Sequence, residues 1–180
     1  ANRGSDISNL VAQAFLFLSK NADVAIQNGG GVRTDLFAGS ITIGDAYTLL
    51  PFANTLTDLA MSGAEIRAVL NEAVEFAHVE GGSSGAYPYA AGLRWEVDMN
   101  RPEGERLFNI EVNPRNSAEW RALADDEELN VVTNSFTAGG RDGYVTFGAV
   151  SDDGRATDTF LDYAQSFVDY VLEVGSLSKP

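Results

Sequence analysis

Residues 28–33 read NGGGVR and follow directly on the apolar run VAI at 24–26. Three consecutive glycines form no helix and weaken a strand, because glycine loses more backbone freedom on ordering than any other residue. The chain must therefore leave a buried strand here and turn. A second segment, NSFTAGGRDGY at 134–144, follows the β-branched run at 131–133 and repeats the composition. The fold has to accommodate two strands that each run into a glycine-rich loop.

The rest of the pattern mixes helices and strands. Ser5 can cap a helix that carries Ile7, Leu10, Val11, Ala14, Phe15 and Leu18 at helical spacing. A strand is expected over 23–27, a short helix over 44–50 stopped near Pro51, and a strand over 55–61. Residues 62–63 read as a turn. Residues 64–78 give the clearest amphipathic helix, with Ile66, Val69, Leu70, Ala73, Val74 and Ala77 on one stripe. A flexible loop is expected at 81–85, and strands at 93–97 and near 107–112, split by the polar turn NRPEGE. A closing helix over 161–174 turns Tyr163, Phe167, Tyr170 and Val171 inward. The elements interleave without strict βαβ alternation, which predicts an α+β single domain spanning 1–180, with a mixed β-sheet packed with helices.

Composition excludes some functions. The 180 residues carry 26 acidic side chains against 12 lysines and arginines, a formal net charge of −14. Such a surface repels nucleic-acid backbone and anionic membrane, so no nucleic-acid polymer is expected as a partner. No apolar run approaches the roughly 18 residues that span a bilayer, so no membrane span is expected, and no secretory signal opens the sequence. Cysteine is absent and His78 is the single histidine, so neither a thiolate nor a histidine-rich metal site is expected in this chain. His78, late in its helix, suits the negative end of the helix dipole. The acidic run at 125–128 reads as a solvated turn.

The glycine loops carry the candidate chemistry. Gly30 and Gly31 permit positive φ and bare the backbone, so either a ligand lies against them or the run is a tight turn with no ligand. Arg33, two residues past the run, can take a phosphate or carboxylate bidentately. Asn28 can offer donor and acceptor to a heterocycle edge, or cap the loop as an Asx turn. Phe52, beside Pro51, is either a core plug or a stacking platform. With Phe136 on the second loop it can sandwich a planar base. Asp142 can accept bonds from two vicinal hydroxyls, or serve as an ordinary turn residue before Gly143.

Five stretches, QNGGGVR, AGSITIGDAYTLLPFANTL, MSGAEIRAVLNEAVE, YPYAAGLRWEVD and VVTNSFTAGGRDGY, resemble in order the C-terminal domain of 5'-nucleotidases. That family also includes periplasmic UDP-sugar hydrolases and NAD nucleotidases. The resemblance covers roughly residues 5–147. It implies that Asn28 contacts the purine, Arg33 binds phosphate, Phe52 and Phe136 clamp the base, and Asp142 binds the ribose hydroxyls. The family supplies a further phosphate-binding arginine before the first helix, for which Arg3 is the candidate, at a shorter spacing. The second loop departs from the common FLANGGDGY form, with Gly139 in place of Asn and Arg141 in place of Gly. Arg141 either reaches toward a larger substrate or points into water.

The resemblance also implies a division of labour. Two divalent metal ions and their ligands belong to an N-terminal metallophosphoesterase domain, of which this chain carries no motif such as GDxH or GNHE. The chain is expected to recognise a nucleotide or nucleoside and to be inactive alone, within a periplasmic or secreted hydrolase of nucleotide catabolism. A UDP-sugar hydrolase, an NAD nucleotidase, a cyclic-nucleotide phosphodiesterase, a stand-alone nucleoside-binding module and a purely structural domain are the alternatives.

Overall fold

A computed structural model describes residues 5–117 and 119–178. In chain order the elements are α1 (Asp6–Leu18), β1 (Val24–Asn28), α2 (Ile43–Leu49), β2 (Thr55–Ser62), α3 (Gly63–His78), β3 (Pro88–Ala91), β4 (Leu93–Val97), β5 (Leu107–Val112), β6 (Arg121–Ala122), β7 (Glu128–Asn134), α4 (Ser135–Ala138), α5 (Val145–Asp152), β8 (Ala156–Asp162) and α6 (Tyr163–Val174). A five-stranded sheet runs in the order β3-β1-β7-β2-β8, and a smaller sheet in the order β4-β5-β6. Within the larger sheet β1 and β7 are parallel, while the other pairs are antiparallel. The sheet is mixed, as the sequence predicts.

Side-chain alternation divides the interior into two cores. Val24, Ile26, Leu59 and Val131 face one side, where they meet Ile66, Val69 and Leu70 of α3, Phe147 of α5 and the smaller sheet. Ala25, Leu56 and Val132 face the other, against Phe15 of α1, Leu49 of α2 and Phe167 of α6. The helix α3 shows why its sequence folds so. Ser62 and Glu65 close a reciprocal capping box at its start, and Ile66, Val69, Leu70, Ala73 and Val74 form the buried stripe. Each large apolar side chain so buried contributes about 1.5–3 kcal/mol.

Several boundaries move. The GGG run, expected to form no helix, makes one 3-10 turn over Gly29–Gly31. A single such turn fixes too few residues to carry glycine's full helical cost. Ser62 is the cap of α3 rather than a separate turn, and the helix begins at Gly63. The closing helix begins at Tyr163, not at 161, because Leu161 and Asp162 pair in β8 and Asp162 caps α6. Tyr163 and Phe167 are buried as expected, and Tyr170 and Val171 pack on the same core. His78 is exposed, with Nδ1 2.8 Å from the Val74 carbonyl oxygen.

Candidate functional site

The parallel pairing of β1 with β7 decides where a ligand can sit. Val24 is opposite Val131 and Ala25 opposite Val132, so both strands end on the same side of the sheet. Their glycine loops, more than a hundred residues apart in sequence, are thereby brought together. Clefts at the carboxyl ends of parallel strands are the usual ligand sites of α/β sheets. Here the cleft measures about 960 Å³, and Asn28, Gly30, Gly31, Arg33, Phe52, Phe136 and Asp142 all line it.

Its floor is a network of amides. Asn134, the last residue of β7, donates from Nδ2 to Asn28 Oδ1 at 3.0 Å and to Gln27 Oε1 at 2.8 Å. Its own Oδ1 accepts from the Thr137 amide and so caps α4. Asn28 Nδ2 then donates to Asp142 Oδ2 at 2.9 Å. Gln27, Asn28 and Asn134 are all buried, and such groups are stable only when paired. Asn28 makes no side-chain cap to the glycine turn, so the Asx-turn reading is not what the structure has. With both ends of its amide engaged, it retains one hydrogen and one lone pair for a ligand edge.

The glycines of the first loop serve close approach. A Cβ on Gly31 would lie 2.3 Å from Gln27 Nε2, whereas its φ is not in the left-handed region. In the second loop conformation matters as well. Gly143 has φ +80°, and a Cβ there would lie 2.4 Å from Phe76 Cβ. Asp142, at φ 54°, is held in the left-handed region that Asp tolerates better than most residues.

The walls are aromatic and cationic. Phe52 and Phe136 are 45% and 43% exposed, which is incompatible with core plugs and leaves their faces available. The Arg33 guanidinium lies 5.8 Å from the centre of the Phe52 ring, and Nη1 donates to the Gly30 carbonyl at 3.1 Å. Arg33 is exposed and has no carboxylate ion-pair partner among the described residues. An anion can therefore approach it without displacing one. Arg141 is exposed and lies outside the cleft lining, and Arg3 falls outside the described residues. Gln27, Tyr89 and Asn134 stand within the quoted motifs but carry no separate signal of a role at the site; Tyr89, Asn134 and residues 83–85 also line the cleft. Among the described residues, no group of three or more His, Asp or Glu side chains converges as a metal site.

Fold and cleft together define an α+β domain whose cleft has a polar floor, two aromatic walls and, in Arg33, a guanidinium with no carboxylate partner among the described residues. A family model described as "5'-nucleotidase, C-terminal domain" matches residues 1–149. The chain belongs to that family, as its motifs predict. It is 41% identical over 171 residues to the NAD 5'-nucleotidase of Haemophilus influenzae, covering 93% of this chain and 28% of that protein. It is 38% identical over 175 residues to a probable 5'-nucleotidase of Treponema pallidum, covering 94% and 29%. The solved NAD nucleotidase of H. influenzae superposes with a TM-score of 0.92 at 39% identity, over 98% of this chain and 32% of that one. A 5'-nucleotidase precursor from Thermus thermophilus gives 0.87 at 32% identity, over 98% and 34%. The chain thus spans about a third of the length of these relatives and corresponds to their C-terminal part.

Proposed function

We propose that this chain is the nucleotide-recognition half of a 5'-nucleotidase-type hydrolase, with catalysis in a metallophosphoesterase domain outside this sequence. The observation that carries the reading is the convergence of Phe52, Phe136, Arg33 and Asp142 on one cleft. Phe52 and Phe136 take the base between them, and Asp142 accepts hydrogen bonds from the ribose hydroxyls. Asn28 offers its remaining hydrogen to the ring edge. Arg33, with the bare backbone of Gly30 and Gly31 beside it, orients the phosphate.

The bond-making step needs a hydroxide and charge neutralisation at phosphorus, which two divalent metal ions in the other domain would supply. Overall, water would add to phosphorus as the ester P–O bond breaks, one of its protons ending on the departing 5'-oxygen and the other on the phosphate. What this chain contributes is binding and orientation. The printed names of the H. influenzae relatives support extending the ligand class to dinucleotides such as NAD. No helix among the described residues is long and apolar enough to cross a membrane. A periplasmic or secreted location follows from the family reading.

Kinetics of the whole hydrolase test this division. Phe136→Ala should raise KM for AMP by about 5- to 150-fold with kcat little changed, as the loss of uniform binding requires. A fall in kcat at unchanged KM would instead place Phe136 in the chemical step and contradict the reading.

A further inference from the structure

Tyr163 lies beyond residue 149, where the family match ends, and outside the cleft lining, yet it bonds to two segments of the cleft, the first glycine turn and the stretch after Phe52. Its ring is fully buried against Phe15, with centroids 5.8 Å apart. The hydroxyl donates to the carbonyl oxygen of Gly31 at 2.5 Å. Its backbone N–H donates to the carbonyl oxygen of Asn54 at 3.0 Å. The first bond fixes the glycine turn two residues before Arg33. The second fixes the segment two residues after Phe52.

We propose that Tyr163 is a positioning residue that sets the phosphate side of the cleft by holding the Gly31 carbonyl. This rests on the reading of the cleft as a nucleotide site. Burial raises the phenol's pKa above its ordinary value, so the hydroxyl stays a donor at any physiological pH. Around the Gly31 carbonyl, the Val32 amide donates to Gly29 at 3.1 Å and the Arg33 amide to Leu49 at 2.9 Å. The Gly29 amide, donating to the Tyr87 carbonyl at 2.9 Å, anchors the start of the turn, and the Tyr163 hydroxyl anchors its end at the Gly31 carbonyl, the side nearer Arg33. The Asn54 bond, made by the backbone, survives a change of side chain. Removal of the hydroxyl should therefore disturb Arg33 and leave the aromatic wall in place.

The test is Tyr163→Phe in the 180-residue chain, with Tyr170→Phe as control. The control removes a hydroxyl from the same helix, one that reaches Gln13 instead. Amide hydrogen exchange at Val32 and Arg33 should accelerate about three- to tenfold in Tyr163→Phe, with the amides of β7 and α3 unchanged. Affinity for AMP should fall by about the same factor while affinity for adenosine, which lacks the phosphate, stays within about twofold. The control should change neither. Uniform acceleration across the chain with equal losses for both ligands would make Tyr163 a merely structural residue and overturn the proposal, as would unchanged exchange at Arg33. If the parent chain binds neither ligand, the nucleotide reading and the phosphate role fall together, whereas local acceleration in the exchange experiment would still show that Tyr163 holds the loop.

Discussion

Asn28 donates to Asp142 across 2.9 Å, and the two residues stand 114 positions apart in the chain. This bond ties the end of β1 to the loop after α4, so the two glycine-rich segments form one wall instead of two independent flaps. Asn134 clamps the same amide from the other side at 3.0 Å. Asn28→Ala removes both contacts and leaves Asn134 Nδ2 with Gln27 as its remaining partner. Loss of these paired, buried groups should destabilise the chain by about 1–3 kcal/mol in urea unfolding, with adenosine binding weakened as well. An unchanged unfolding midpoint would show that the network does not hold the loops.

Phe136 should behave in the opposite way. It is half exposed and packs little against the core, so Phe136→Ala should leave unfolding stability within about 0.5 kcal/mol. Nucleoside affinity should fall by about 1–3 kcal/mol, the value of one lost base stack. Paired denaturation and titration curves of the same variant separate the two effects.

Gly31→Ala tests whether the triple glycine is a steric requirement. The added methyl meets Gln27 Nε2, which is buried and donates to the Asn28 carbonyl at 2.9 Å, so Gln27 cannot swing clear without breaking the network. Overpacking of this kind should cost about 1–3 kcal/mol in thermal or urea unfolding. A neutral result would mean that the floor of the cleft is looser than its hydrogen bonds indicate.

Two carboxyl groups away from the cleft predict opposite pH dependences. Hydrogen bonds from Arg155 hold the Glu65 pKa down to about 2, with the Ser62 cap adding to the effect against the cost of burial. A depressed folded pKa means that the unfolded chain binds the proton more readily. The stability from this pair is present above the unfolded value and is lost as pH falls from about 4.5 toward 2. Glu65→Gln should remove about 1–2 kcal/mol at pH 7 after solvent screening is allowed for, and flatten that acid limb. Burial raises the Asp58 pKa, although the Ser19 hydroxyl, donating at 2.7 Å, opposes it. Here the folded state holds the proton more tightly, so stability falls as pH rises through the folded pKa. Asp58→Asn keeps the Ser19 bond, drops the buried charge and should raise the melting temperature at pH 7.

The elements legible in the sequence were those with a local signature. The α3 stripe is readable without a structure, and so is the run of β-branched residues in β7, whereas Ser62, the cap of α3, reads from sequence as part of a turn. β8 is not readable in this way. Its ATDTFLD lies at a sheet edge with mostly solvated side chains, so it lacks both a hydrophobic run and a clean alternation. β3 starts at a proline, and α5 is short, with only Phe147 and Val150 buried. In the cleft, the candidate residues stand in recognisable motifs. Gln27 and Asn134 stand in the same motifs, but their roles, like that of Tyr163, do not show there, because their partners are set by the parallel pairing of β1 with β7 and by the docking of α6. Those are relationships between distant segments, which no local pattern encodes.

The most direct test of the central claim is calorimetric titration of the 180-residue chain with adenosine, AMP and NAD in the absence of metal. The expected result is saturable binding that weakens by about 5- to 150-fold in Phe52→Ala and in Phe136→Ala. No binding to the folded chain at millimolar ligand, or binding that ignores both phenylalanines, would contradict the cleft as a nucleoside clamp.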